Sequence, residues 1–275
     1  LKSSPYTKYS DSRGNALTYA CQAIGAAGDQ RFVDKLHALL EHKDLRVQIE
    51  AIRGIEGAGS PASVPVLLAK FKEDVSWPVR IALLSALGGV PAKESIDPIL
   101  AFLNSEDGRL RQDAVYALAS IAGGLPEGNP YDWDGWWGLH RETFQANPSA
   151  TQMFRQRYKV KDMPVIPLAD FYGIEIISSR MVFVLDTSAS MRGEKIVKLK
   201  ETMALTVEGL PLDLQFNVVD FGGMIRVMKP GSLIEAKHVS KASNIIQGFT
   251  TTLGTRTFDA MEVAANIPVM DTMVY

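Results

Sequence analysis

An internal repeat constrains the fold of the first half of this 275-residue chain more than any other feature. Aligning the sequence with itself at offsets of 31, 32 and 31 residues gives columns that are apolar throughout, the first being Ala20, Ala51, Leu83 and Ala114. Within each unit the apolar residues recur at spacings of three, four and seven, which is typical of one face of a helix. Each unit therefore predicts a helix, a short turn and a second helix. Such pairs bury their apolar faces only by stacking, so the sequence predicts an all-α solenoid of about three and a half pairs.

Turn-forming residues lie between the predicted helices. The segments 57–61 and 88–91 combine glycine, which suits a helix C-cap, with proline, which suits the first turn of the next helix. The residues Asp44–Val47, Val79–Arg80 and Leu110–Arg111 resemble the D-x-x-V-R motif at which HEAT-like repeats begin. This resemblance implies HEAT-like helical repeats over residues 1–125, with a scaffold or protein-binding role.

A cluster of glycine and proline at residues 123–130 ends the repeat, because such residues do not continue a regular helix. Three of the four tryptophans follow within residues 131–137. A solenoid end must be covered, so we interpret residues 126–179 as a Trp-rich cap and linker. A ligand platform is the alternative interpretation, but no convergent polar groups mark a pocket there.

From residue 180 the pattern changes to alternating strands and helices. Residues 181–185 are an apolar run of strand formers, as expected for a central strand buried on both faces. The later elements are expected as a helix at 194–209, strands at 214–221 and 224–228, a helix at 257–266 and a strand at 271–275. This alternation predicts an α/β doubly wound, Rossmann-like sheet, in which ligands bind beyond the carboxyl ends of the strands.

Three oxygen-bearing side chains, Asp186, Ser188 and Ser190, directly follow the first of these strands. Side chains at alternate positions of a tight turn converge on one point. A set of oxygen ligands with a single carboxylate suits a hard divalent cation such as Mg²⁺ better than zinc. The hydroxyls leave the charge of the cation incompletely neutralised, so a carboxylate from outside the chain can coordinate it.

Residues 186–190 resemble the D-x-S-x-S motif of the metal-ion-dependent adhesion site (MIDAS) in von Willebrand factor A (VWA) domains. Residues 254–260 resemble the G-G-T-N-x-x-D-A stretch of the same family. The resemblance implies that Ser188 and Ser190 bind Mg²⁺, or Mn²⁺, directly, that Asp186 holds it through water and that Thr255 supplies a more distant hydroxyl.

Two departures from the VWA motif affect this assignment. Leu253 and Arg256 stand where the family often has Gly and Asn, so neighbouring hydroxyls remain alternatives to Thr255; these are Thr250, Thr251, Thr252 and Thr257. In the family the last acidic ligand follows the next strand. We therefore expect residues 180–275 to be the N-terminal part of a VWA domain, with an incomplete metal site.

The resemblances together imply a non-enzymatic protein that binds an acidic residue of a protein partner through the metal, with the HEAT-like array as scaffold or second binding surface. Two alternatives stay open: an enzyme similar to the HEAT-like phycobilin lyases, and a structural scaffold with an inactive metal site. Asp186 and Ser188 could also act only as turn or helix-capping residues. Ser188 as a hydrolytic nucleophile is disfavoured, because there is no G-x-S-x-G motif.

Composition excludes two classes of partner. The chain has 29 Lys and Arg against 31 Asp and Glu, with no segment of basic excess, so we expect no nucleic-acid binding. No uncharged stretch approaches the ~20 apolar residues of a membrane-spanning helix. The single cysteine, Cys21, lies on an apolar helical face and is expected to be a buried, inert thiol. Any targeting segment is expected outside these residues, since the sequence opens at Leu1 without one.

Overall fold

The computed structural model describes residues 12–157, 168–212 and 214–275. The chain divides into two compact units, Leu1–Pro164 and Val165–Tyr275. The first unit is helical and the second contains a β-sheet, as the sequence predicts.

The helices of the first unit follow the repeat. They are α1 (Ser12–Ala27), α2 (Val33–Leu39), α3 (Leu45–Ala58), α4 (Val64–Phe71), α5 (Trp77–Gly89), α6 (Ile96–Ser105), α7 (Gly108–Ala122), α8 (Trp133–His140) and α9 (Ala150–Arg157). The long helices α1, α3, α5 and α7 each pack on the next long helix, and α2, α4 and α6 alternate with them. The predicted stack of helix pairs is therefore confirmed.

One apolar core runs through this unit. The aligned apolar residues of the later units are buried, as Ala51, Leu83 and Ala114 show, whereas Ala20 of the first unit is exposed. Cys21 is buried in the same core. Burial, together with the negative charge of Glu50, raises the pKa of its thiol, which keeps the side chain protonated.

The tryptophan-rich segment forms α8 and packs on the repeats. Trp133 and Trp137 are buried in the helical core. The Nε1 of Trp137 donates a 2.8 Å hydrogen bond to Oδ1 of Asp97 in α6. Phe154 of α9 is also buried, with its ring edge against Tyr116 of α7. Two helices beyond the repeat thus extend its core.

The second unit is built on a mixed, mostly parallel sheet. Its described strands are β1 (Ala169–Phe171), β2 (Ile174–Ile176), β3 (Arg180–Asp186), β4 (Gln215–Phe221), β5 (Ile225–Val227), β6 (Ile234–Glu235) and β7 (Thr272–Val274). Its helices are α10 (Glu194–Glu208), α11 (Val239–Gln247) and α12 (Thr257–Ala265). The main sheet has the order β5-β4-β3-β7, and β3 is parallel to both β4 and β7. β5 and β6 pair with β4 in antiparallel fashion.

Helices cover both faces of this sheet. Alternate side chains of a strand point to opposite faces, and β3 shows this directly. Met181, Phe183 and Leu185 pack in one core with residues of α10 and α11, whereas Val182 and Val184 pack in a second core with residues of α12. The predicted α/β fold is confirmed.

A small β-hairpin lies in the last part of the segment that the sequence interpretation assigned to a linker. β1 and β2 pair antiparallel, and Phe171 and Ile176 are buried in a core of the second unit. The ring of Phe171 contacts Phe183 of β3, with centroids 5.3 Å apart. Part of the interpreted linker therefore packs against the sheet; residues 158–167 of it lie outside the described residues.

Candidate metal centre

The candidate metal ligands lie where two parallel strands end. β3 and β4 are in register, with Asp186 opposite Phe221 at their carboxyl ends. The backbone N–H of Thr187 donates to the carbonyl of Phe221 at 2.7 Å, which ties the loop after β3 to the end of β4. A 3-10 turn, Ala189–Met191, then leads toward α10. This is the edge at which open α/β sheets bind ligands.

The structure brings the three side chains of the D-x-S-x-S motif together. The backbone N–H of Ser188 donates to Oδ1 of Asp186 at 2.7 Å, which fixes the orientation of the carboxylate. The Oγ atoms of Ser188 and Ser190 lie 2.8 Å apart. Ser188 is buried, Asp186 is partly exposed and Ser190 is exposed. The site therefore opens to solvent on the side of Ser190.

The threonine loop reaches this site through Thr252. Thr252 forms a parallel bridge with Ser188, and its N–H donates to the carbonyl of Thr187 at 2.9 Å. Its Oγ1 accepts a 2.9 Å hydrogen bond from the N–H of Gly223. Thr255 is exposed, and its hydroxyl has no hydrogen-bond partner within the described residues. Of the threonines that the sequence leaves as candidate ligands, Thr252 thus contacts the D-x-S-x-S loop through its backbone. Its hydroxyl is hydrogen-bonded to the N–H of Gly223.

Two glycines allow the threonine loop to approach the end of β4. A Cβ on Gly222 would collide with Oγ1 of Thr252, and a Cβ on Gly223 would collide with the carbonyl of Leu253. Gly254, whose φ is +96°, faces Gly223 across this contact. Gly222 and Gly223, which join the two predicted strands, therefore also let the threonine loop lie against the site.

An ion pair between buried Asp220 and partly exposed Arg226, beside the site, was not predicted from the sequence. Asp220 is buried near the end of β4 and accepts a 3.1 Å hydrogen bond from Oγ1 of Thr187. The guanidinium of Arg226 forms an ion pair with Asp220, its Nε lying 2.9 Å from Oδ2, and also donates to the carbonyl of Thr250. Asp220 thus holds the loop after β3 while its charge is balanced by Arg226. The sequence did contain a signal for this ion pair, because a carboxylate within an apolar strand needs a partner.

The serine hydroxyls fit a Mg²⁺ site. Mg²⁺ binds oxygen at 2.0–2.1 Å with octahedral geometry, so two adjacent ligands lie about 2.9 Å apart. The Ser188 and Ser190 oxygens, 2.8 Å apart, match adjacent positions. No group of three or more His, Cys, Asp or Glu suited to a metal occurs in residues 12–157, 168–212 or 214–275. The candidate site is of another type, with one carboxylate and several hydroxyls.

Comparison with known protein families supports the assignment of both units. Residues 9–87 and 64–130 match the family model of HEAT repeats, and residues 181–271 match that of the von Willebrand factor type A domain. The chain thus contains HEAT repeats followed by a VWA domain, and both resemblances are confirmed. VWA domains indicate an interaction with protein partners.

A similar protein is the human inter-alpha-trypsin inhibitor heavy chain H4, which is 32% identical over 97 residues. The match covers 34% of this chain and 10% of that relative. This chain therefore corresponds to only a small part of the relative's length. No helix in the described part of the chain is long and apolar enough to cross a membrane.

Proposed function

We propose that this chain binds a protein partner through Mg²⁺, or Mn²⁺ in its place, held by the loop after β3, and that its activity is binding rather than catalysis. The observation that carries the proposal is the pair of Ser188 and Ser190 hydroxyls, 2.8 Å apart at the carboxyl end of β3. The partner supplies an Asp or Glu carboxylate to an open position on the cation. The HEAT repeats act as a scaffold or a second binding surface.

Each residue of the site has a separate role in this proposal. Ser188, which is buried, and Ser190, which is exposed, present their hydroxyls to the cation. Asp186 is oriented by the N–H of Ser188 at Oδ1, which leaves Oδ2 to accept a hydrogen bond from metal-bound water. Thr255, exposed and without a hydrogen-bonded partner in the described residues, is the proposed distant hydroxyl.

The charge balance of the site favours an acidic partner. Asp220, the other carboxylate beside the loop, is neutralised by Arg226. Asp186 is then the carboxylate of the D-x-S-x-S loop available to the cation. A divalent cation with one carboxylate keeps a net positive charge, so an external carboxylate gains more there than at a site already rich in acidic ligands.

Calorimetric titration with Mg²⁺ tests the metal site. The VWA resemblance places a further acidic ligand after the next strand, so the titration uses the 275-residue chain and a chain that continues through that loop. We expect weak Mg²⁺ binding or none in the 275-residue chain and clear Mg²⁺ binding in the longer chain. Asp186→Ala and Ser188→Ala should abolish binding without loss of the sheet signal in circular dichroism, because these residues lie at the edge of the sheet.

Glu201→Ala removes an exposed carboxylate of α10 and is the matched control, which should leave Mg²⁺ binding unchanged. In the longer chain, equal Mg²⁺ affinity with and without Ser188→Ala would contradict the proposed site. The absence of binding in the extended chain would instead favour the scaffold with an inactive metal site, in keeping with the exposed position of Thr255.

A further inference from the structure

A cavity of about 500 Å³ opens on the second unit, between α11 and the segment that joins β5 to β6. Its volume is in the range of ~300–1,000 Å³ that small-ligand sites occupy. Apolar side chains form its floor, among them Met228, Ile234 and Ile245. The residues of the D-x-S-x-S loop do not line it.

The rim of this cavity is cationic. Lys229, Lys237 and Lys241 line it together with His238, and none of the described lining residues is acidic. Lys229 donates to the carbonyl of Leu233 at 3.0 Å, and Lys237 is paired with Glu235 just outside the cavity. Lys241 is exposed on α11. The cavity therefore combines an apolar floor with a positively charged edge.

Glu235 lies at the edge of this cavity and is paired with Lys237. A hydrogen bond from Lys237 and its charge lower the pKa of the Glu235 carboxyl, and the charges of His238 and Lys229 act in the same direction. Glu235 lies on β6, next to Ile234 of the cavity floor. The lowered pKa of Glu235 thus reflects mainly its pairing with Lys237, with smaller contributions from the other cations nearby.

A buried side chain holds one wall of the cavity in place. Asn217 of β4 is fully buried, and its Nδ2 donates to the carbonyls of Lys229 at 2.7 Å and Ser232 at 2.8 Å. Its Oδ1 accepts from the N–H of Lys229 at 3.2 Å. These three bonds fix the segment between β5 and β6, so the wall is formed before a ligand arrives.

We propose that this cavity binds a small amphipathic carboxylate, such as a medium-chain fatty acid, with the hydrocarbon chain on the Met228, Ile234 and Ile245 floor and the carboxylate beside Lys241. The opposite charge of head group and rim selects the anion, and apolar burial supplies affinity. An uncharged ligand of the same shape loses the attraction to the positive charge, and a short anion loses the burial of apolar surface.

Titration with decanoate below its micelle concentration tests the proposal, with decanol and acetate as matched probes. We expect decanoate to bind at least tenfold more tightly than either. The methyl NMR signals of Ile234 and Ile245 should shift on binding. Added salt should weaken decanoate binding, because the lysines are exposed and screened by ions.

The variant Lys241→Gln should weaken decanoate binding at least fivefold and leave decanol binding unchanged. Lys198→Gln, which removes an exposed lysine of α10, is the charge-matched control and should bind as the unaltered chain does. Asp186→Ala and chelation of divalent ions should have no effect, which separates this cavity from the metal site. Equal affinity for decanoate and decanol, or no loss of decanoate affinity in Lys241→Gln, would overturn the proposal.

Discussion

Asp44 shows how one side chain stabilises a repeat helix. It is the N-cap of α3, where its carboxylate accepts a 2.9 Å hydrogen bond from the N–H of Arg46 and an ion pair from the Arg46 guanidinium at 3.0 Å. Burial opposes ionisation of Asp44, but the hydrogen bonds and charge of Arg46 outweigh it and lower the pKa of the carboxyl. A lowered pKa in the folded state stabilises the fold above the unfolded-state pKa, and this stabilisation is lost as pH falls through the folded-state pKa.

We therefore expect Asp44→Ala to lower the free energy of unfolding by about 1 kcal/mol at neutral pH and by less at pH 3. Urea unfolding at the two pH values measures this difference. Asp107 is the matched control, since it is the N-cap of α7 but its side chain caps no backbone N–H. Asp107→Ala should cost less at neutral pH. A loss for Asp44→Ala that is the same at both pH values would contradict the role of the ionised cap.

Single residues also show how far the site could be predicted from sequence. Asp186, Ser188 and Ser190 come from one turn, so their spacing alone brings them together, as observed. The contact of Thr252 with Ser188 joins loops more than 60 residues apart, and spacing does not determine which threonine meets the site. Both strands that carry Asp220 and Arg226 were predicted, but their ion pair was missed because it depends on the cross-strand register, which the strand positions alone do not give.

The packing of α1 on α3 depends on close approach of the two backbones. A Cβ on Gly57 of α3 would lie 2.5 Å from the carbonyl oxygen and 2.7 Å from the Cα of Gly25 in α1. We expect Gly57→Ala to destabilise the helical unit by about 1–3 kcal/mol, because the helices must separate to admit the methyl group. This loss exceeds the better helix propensity of alanine, which is worth up to ~1 kcal/mol.

Denaturant unfolding followed by tryptophan fluorescence measures the effect of Gly57→Ala. The control is Gly138→Ala in α8, where the new Cβ meets nothing within 4 Å and should be neutral or slightly stabilising. If both substitutions had the same effect, contact between the α1 and α3 backbones would not limit the packing of these repeats.

Elements that belong to the repeat were predicted, whereas several short elements outside it were missed. α3 and α5 carry full apolar faces and lie where the repeat places them. α11 was missed because its buried residues, Ala242 and Ile246, stand among lysine, serine and asparagine. The hairpin of β1 and β2 was missed because each strand has only three residues, too few to show alternation.

Across the whole chain, the described apolar cores divide between the two units. The helical core extends from Cys21 to Phe154, and the two cores of the sheet unit lie within residues 168–274. All four tryptophans belong to the first unit, as Trp77, Trp133, Trp136 and Trp137. Tryptophan fluorescence therefore reports the helical unit, while circular dichroism reports both.

Separate cores predict separate unfolding transitions, since chains of several domains depart from two-state behaviour. Phe183 is fully buried in β3, and Phe183→Ala should destabilise the sheet unit by about 3–5 kcal/mol. We expect an earlier transition by circular dichroism with an unchanged midpoint by tryptophan fluorescence. Leu83→Ala, in the helical core, should shift the fluorescence midpoint instead. A fluorescence midpoint that moved with Phe183→Ala would show that the two units unfold together. The HEAT repeats would then stabilise the VWA domain in addition to the proposed scaffold role.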